Sequence, residues 1–397
     1  MEQMQREVPT GAVHGTCEPA WSSVVDAFVA NFTDRQELGA SLCILHEGTP
    51  VVDVWGGAAE RGSGRPWRTD TVSVVHSCTK GATALCLHLL VDRGLVDLEA
   101  PVAEYWPEFA TNGKERATVR MMLDHSVGVP VLRGPVEPGE LYDWDRMVGR
   151  LEAEAPFWEP GTRNGYHMIN FGWVVGEIVR RVSGRSLGTF FQDELARPLG
   201  IDFWIGLPEV LEPRVAPMVP YVRQKGEPLS AFALDVVRQP DSIPALAVAN
   251  LMSMGMNSRG AHAAEIGGGG GITNGRGLAG MYRPLAAGGG GLVRPETVRR
   301  MRSVSVATND DATLRIATRF ALGFMVSMDN RAKAETDSAV LGEHAFGHVG
   351  AGGSIGFADP SLGLSFGYSM NRMGPGILLN ERGQSLVDAA YAVLGAR

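Results

Sequence analysis

Along most of the chain, apolar and polar positions alternate with recognisable periods. Residues 21–33 (WSSVVDAFVANFT) repeat apolar positions at helical spacing and predict a helix. Residues 40–46 and 50–56 predict two strands joined by a turn at Glu47-Gly48-Thr49. The stretch from Ser77 to Val96 is too long for a strand and apolar nearly all round. It predicts a buried helix ending near Gly94. Residues 101–260 hold more Pro and Gly and shorter helical pieces, with helices over about 168–183 and 186–196. Glycine runs at 267–271 and 288–291 flank a helix near 274–287, which Pro284 is expected to kink. Three strands follow at 345–350, 354–359 and 363–370, then a closing helix at about 380–395.

Strands at both ends with helices between them predict an α/β (α+β) architecture. An antiparallel sheet is built from both termini and flanked by helices, and a mainly helical lobe is inserted into it. The expected extent is a single domain over 15–397. Its α/β lobe covers about 20–100 and 260–397, and its helical lobe about 101–259. A chain of 397 residues can bury roughly three quarters of its unfolded surface.

A net charge of −8 argues against a nucleic-acid partner, which needs a basic face. Cysteines 17, 43, 78 and 86 have neither zinc-ribbon spacing nor the density of a disulfide framework, so reduced, buried thiols are expected. The first residues, MEQMQREVPTGAVHG, carry acidic groups and no apolar core, unlike a secretory signal. No apolar run approaches a membrane span. These features predict a cytoplasmic protein without a membrane partner. Oligomeric state leaves no mark in the sequence.

The chemistry begins with lysine. The chain holds only four, at 80, 114, 225 and 333, and uses Arg elsewhere. Three lie in polar, loop-like surroundings, whereas Lys80 opens the apolar helix SCTKGATALCLHLL. Arg cannot release its proton at ordinary pH, but a desolvated Lys can. Ser77 precedes Lys80 by three residues and shares its helix face, so the amine can reach the hydroxyl. A helix N-terminus there would also favour developing negative charge, and a serine needs such a neighbour to become a nucleophile. The plain alternative is a Ser cap followed by a Lys that reaches solvent.

A second element is PGTRNGYHMINFGWVVGEI, in which Tyr166 follows a Pro-Gly turn and precedes a helix. A nearby Lys80 ammonium would favour its phenolate and make it a general base; the alternative is a buried, hydrogen-bonded phenol. The third is FGHVGAGGSIGFADP. A strand ending at His348-Val349-Gly350-Ala351 could bring the Ala351 N–H beside the Ser77 N–H as an oxyanion hole, with His348 lining the pocket. The alternative there is a glycine-rich turn.

In this order and spacing the three segments resemble the serine β-lactamase and penicillin-binding-protein superfamily. The resemblance is strongest to its class C-like branch, which includes the family VIII carboxylesterases. Ser77-Cys78-Thr79-Lys80, Tyr166-His167-Met168 and His348-Val349-Gly350 match the three motifs. LDHSVGVP (123–130) and the stretch from PGT through RPLGI are similar to supporting segments, so that the likeness covers about 20–395. Met168 stands where class C β-lactamases have Asn, and His348 where Lys-Thr-Gly has Lys. Both departures weigh against lactams and towards neutral esters. The resemblance implies a β-lactamase-like fold and a Ser77 acyl-enzyme with Lys80 and Tyr166 as its base pair. It also implies substrate contacts at His348, Gly350 and Met168, a small-molecule ester substrate, and no metal or cofactor. A β-lactamase or peptidase, an acyltransferase and a non-catalytic binding protein remain alternatives.

Other motifs carry less. Gly352–Gly356 fits G-x-S-x-G, but strands continue after Ser354 and no histidine follows 348. Gly275–Gly280 fits G-x-G-x-x-G without a βαβ unit around it. His262 with Glu265, and Asp124 with His125, lack a third metal ligand.

Overall fold

In a computed structural model, residues 1–332 and 337–396 are described. Lys333 therefore lies outside the described residues. The strands in chain order are β1 (Glu2–Val8), β2 (Gly11–Cys17), β3 (Gly39–His46), β4 (Thr49–Gly57), β5 (Ser73–Val74), β6 (Ile272–Thr273), β7 (Val306–Thr308), β8 (Thr318–Phe320), β9 (Met325–Val326), β10 (Phe346–Val349), β11 (Ile355–Asp359) and β12 (Leu364–Met370). Ten of them form one antiparallel sheet in the order β1-β2-β4-β3-β12-β11-β10-β9-β8-β7, and β5 pairs separately with β6. The sheet is built from both ends of the chain. The N-terminal strands meet the C-terminal ones at β3 against β12, with Leu42 opposite Tyr368 and Ser41 opposite Ser369.

The period of two decides what each face of the sheet meets. Ala40, Leu42 and Ile44 of β3 share a core with Val24 and Phe28 of the helix Ser22–Asp34 and with Leu386 and Val387 of the helix Glu381–Val393. Cys43 and Leu45 turn the other way, onto Ala279 of the helix Gly275–Ala286. Each fully buried side chain of this size contributes about 1.5–3 kcal/mol. Gly367 lets that second helix lie close: a Cβ there would stand 2.2 Å from the Gly275 carbonyl oxygen. The helix runs through Pro284.

Glu47 and Gly48 make the β3–β4 turn, with φ of 50° and 78°. Two positive φ values suit the twist of a two-residue hairpin. The buried helix is observed as a short turn, His76–Cys78, followed by Thr79–Asp92. It packs against the helix Phe171–Ser183 in the core of the helical lobe. The helix expected over 186–196 is observed from Leu187 to Leu199 without a break, widened to a π-helical turn at Gln192–Ala196.

The β1–β2 hairpin and the short edge strands β7–β9 extend the sheet beyond what periodicity predicts. The outer strand of the hairpin is polar and mostly exposed, so it carries no buried stripe to read. All four cysteines are free and buried. Lys114, in a loop as expected, is buried, and its ammonium donates to the carbonyl oxygens of Glu152 and Glu154. Among the described residues no helix is long and apolar enough to cross a membrane, and no group of three or more His, Cys, Asp or Glu side chains gathers as a metal set would.

Candidate active site

Ser77 lies at the end of a tightly held approach. The β5–β6 pair delivers the chain to Val75, whose N–H donates to the Gly271 carbonyl at 2.9 Å. His76 then takes a left-handed conformation, φ 45°. A non-glycine residue there stores strain, which the surroundings must hold. Thr79 supplies part of the hold: its hydroxyl donates to the His76 carbonyl at 2.5 Å and accepts from the Gly271 N–H at 2.8 Å. Ser77 is the half-exposed member of this turn, with His76 and Cys78 buried on either side.

Lys80 is fully buried. Its Nζ stands 2.6 Å from the Met168 carbonyl oxygen, 2.6 Å from that of Gly268, and 3.1 Å from Ser77 Oγ. No acidic side chain is among these partners. Burial therefore pushes its pKa well below the ordinary lysine value, towards a free amine. A free amine has two N–H bonds and one lone pair. In that form the two carbonyl acceptors would take both N–H bonds and leave the lone pair for the serine hydroxyl, whereas an ammonium donates to all three oxygens.

Tyr166 enters from the helical lobe, 4 % exposed, with Lys80 Nζ 4.7 Å from its ring centre. Its hydroxyl reaches Ser77, a contact that lowers its pKa, but burial is the larger effect and raises it above the ordinary tyrosine value. The expectation of a phenolate stabilised by a lysine ammonium thus meets the opposite balance. In this dry setting both groups prefer to be neutral.

His348 ends up behind the phenol. Its Nε2 is 3.5 Å from the Tyr166 hydroxyl, at the outer limit of a hydrogen bond, and its Nδ1 donates to the Val349 carbonyl at 2.7 Å. Burial, the largest cause, holds its pKa well below the ordinary histidine value, so the ring is neutral and Nε2 can only accept. From this strand end it is Val349 and Ala351 that border the cavity at Ser77. Gly350 acts through space: a Cβ there would stand 2.2 Å from the Val75 carbonyl oxygen. Its lack of a side chain lets β10 reach the turn that presents Ser77. The thiol of Cys78 ties the two together by donating to the His348 carbonyl at 3.2 Å. Neither the Ser77 nor the Ala351 N–H donates to another described residue, and Ala351 is exposed.

The cavity beside Ser77 measures about 100 Å³. Met168, Ile169, Leu251, Met254, Leu314 and Met325 form much of its wall, and among the described residues no Lys, Arg, Asp or Glu side chain borders it. Wider surface clefts, such as one of about 420 Å³ between Arg120 and Arg300, contain none of the residues gathered around Ser77.

The sequence motifs do not single out two neighbours for this site, although His125 lies in the LDHSVGVP segment. His125 is buried in a left-handed conformation, φ 68°, with its ring centre 4.9 Å from that of Tyr166. Its Nδ1 accepts the His167 N–H at 3.2 Å. Asp311, buried, accepts the Tyr166 N–H at 3.0 Å. A histidine on a loop and an aspartate 145 residues from the tyrosine give no periodic signal. The other candidates lie elsewhere. Ser354 is buried immediately before β11, so a strand and not a helix follows it directly. His262 holds Glu212 at 2.7 Å, while Asp124 accepts from the hydroxyls of Ser126 and Ser305.

Comparison with known proteins agrees with this geometry. The family model described as Beta-lactamase matches residues 24–390. The chain is 35% identical to the Esterase/beta-lactamase LipL of Mycobacterium tuberculosis, over 91% of this chain and 83% of that protein. The crystal structure of a family VIII carboxylesterase superposes with a TM-score of 0.86 at 41% identity, covering 96% of this chain and 99% of that one. A penicillin-binding protein homologue from Caulobacter crescentus superposes at 0.81 with 31% identity, over 96% and 99%.

Proposed function

From the premise that the chain belongs to the Beta-lactamase family, we propose that it is a carboxylesterase that cleaves small, neutral esters through an acyl-enzyme on Ser77. The observation that carries this reading is Lys80: a buried amine whose two short contacts are carbonyl acceptors and whose third is the hydroxyl of Ser77. That hydroxyl opens onto an apolar cavity.

In the first step Ser77 Oγ attacks the ester carbonyl carbon, and its proton passes to the free amine of Lys80. A single positioned base of this kind contributes roughly 10²–10⁴ in rate. The carbonyl oxygen, now an anion, sits between the N–H groups of Ser77 and Ala351, where loss of one donor would cost roughly 3 kcal/mol. When the tetrahedral adduct collapses, the neutral Tyr166 hydroxyl gives its proton to the departing alkoxide and regains one from the Lys80 ammonium. Water then repeats the sequence in reverse roles, leaving the acid, the alcohol and the starting enzyme. Lys80 and Tyr166 thus work as a pair in which the amine accepts and the phenol donates.

The cavity supports the substrate class. About 100 Å³ is well below the roughly 300–1,000 Å³ of sites that hold drug-sized ligands, so a short acyl chain fits it. Among the described residues no cationic side chain stands on its border to pair with a substrate carboxylate such as that of a penicillin. The test is a panel of p-nitrophenyl esters, amino-acid amides and nitrocefin, run on the wild type and on Ser77→Ala. Ester turnover should dominate and vanish in Ser77→Ala. Equal ester turnover in the two proteins, or nitrocefin as the better substrate, would overturn the proposal.

A further inference from the structure

Tyr166 must be held in place, yet the chain around it has no regular structure: residues 163–168 belong to neither helix nor strand. Three consecutive N–H groups fix this segment. Those of Gly165 and His167 go to His125, to its carbonyl and its Nδ1, each at 3.2 Å. The middle one, Tyr166 itself, goes to Asp311 Oδ1 at 3.0 Å.

Asp311 does more than accept this one bond. The same oxygen accepts the N–H groups of Thr313 and Leu314, both at 2.9 Å. Oδ2 faces Asn164 Nδ2 and the Thr318 hydroxyl, each at 3.3 Å. The Ala312 N–H completes the seam by donating to the Asn164 carbonyl at 3.2 Å. The carboxylate is 0 % exposed and has no cation among its hydrogen-bond partners in the described residues. A carboxylate buried without a cation is costly unless several donors converge on it. Five do so here, and they come from the tyrosine segment, the 311–314 turn and β8. The 311–314 turn also carries Leu314, which forms cavity wall beside Ser77.

We propose that Asp311 is a positioning residue, a buried carboxylate that sets the Tyr166 phenol against Ser77 and Leu314 against the substrate. The proposal rests on the role given above to Tyr166. Displacement of a reacting group by 1 Å can cost roughly 10²-fold in rate, whereas loss of a loop anchor alone changes stability and leaves turnover per folded molecule intact.

The experiment compares Asp311→Asn and Asp311→Glu with Thr318→Val, which removes a donor to the same carboxylate without touching the Tyr166 bond. The readouts are kcat and KM for p-nitrophenyl butyrate, the rate of Ser77 labelling by a fluorophosphonate, and the urea midpoint. In both Asp311 variants kcat per folded enzyme should fall roughly tenfold or more, with KM within about threefold and labelling slowed in step. Thr318→Val should lower the urea midpoint and keep wild-type kcat. The proposal is overturned if the Asp311 variants fold with wild-type kcat. It is equally overturned if Thr318→Val loses kcat as they do, or if neither Asp311 variant folds, since the carboxylate would then serve folding alone. Failure of the esterase reading would show separately, as absent wild-type turnover or undiminished turnover in Ser77→Ala.

Discussion

Replacing Lys80 by Arg separates two ways of using a cation beside a tyrosine. If the lysine works as a free amine, Arg cannot replace it, because a guanidinium keeps its proton at any workable pH. If the lysine works instead as a permanent charge that creates a Tyr166 phenolate, Arg keeps that charge and a share of the activity. Losing the base should cost roughly 10²–10⁴ in kcat, or about 3–5 kcal/mol in the barrier. Stability must be read alongside. The guanidinium overfills a buried site, at roughly 1–3 kcal/mol. Lys80→Met is the neutral control of similar length. It leaves the Met168 and Gly268 carbonyls without their donor, at roughly 1–3 kcal/mol each. The assay is p-nitrophenyl butyrate hydrolysis at saturating substrate, normalised to the folded fraction from urea titration. Both variants should fall by similar factors. A Lys80→Arg enzyme that keeps more than about a tenth of wild-type kcat while Lys80→Met is inactive would refute the free-amine assignment.

Three other outcomes follow from the structure. His88 is buried, with a pKa lowered to about 4 by burial, so between the unfolded value near 6.5 and that figure only the unfolded chain takes its proton. Stability is full above pH 6.5 and is lost below it, and urea titrations at pH 7.5 and 5.0 should show His88→Phe spared about 2 kcal/mol of the wild-type decline. Arg382 pairs with the buried Glu37 at 2.7 Å, and Tyr368 donates to the same carboxylate. Arg382→Met leaves that charge unpaired and should cost about 3–5 kcal/mol, partly recovered on adding Glu37→Gln; an additive double variant contradicts the pairing. Gly350→Ala should lower kcat roughly tenfold or more by pushing β10 from the Ser77 turn, and wild-type kcat would show that the strand end yields freely.

What the sequence discloses depends on whether the signal is local. Ser77 and Lys80 are one helical turn apart, so their meeting is written in the spacing. The alternation in β3 likewise announces its two faces before any partner is known. Tyr166 and the 346–350 segment could be brought to Ser77 only through resemblance, because nothing local ties positions so far apart. The protonation states were beyond reach for another reason. The ammonium–phenolate picture assumes charges in a responsive solvent, whereas Lys80 and Tyr166 are buried, and burial is the largest influence on each, lowering the lysine pKa and raising the tyrosine's. His348 faces the phenol rather than the cavity because its Nδ1 is turned back to the Val349 carbonyl, a rotamer choice that spacing does not encode.

The seam between β3 and β12 also bears on how the chain matures. Ser41 and Ser369 share a hydrogen bond across it while standing 328 residues apart. A nascent chain leaves the ribosome from its N-terminus, so β3 emerges early and waits with an open apolar edge until the last strand arrives. The helical lobe, rich in short-range contacts, can assemble meanwhile, but β3 has no partner on that side before residues 364–370 are made. Chaperone occupancy should therefore concentrate on the first sixty or so residues of stalled chains, and protease resistance of that segment should appear only once residues 364–370 are out.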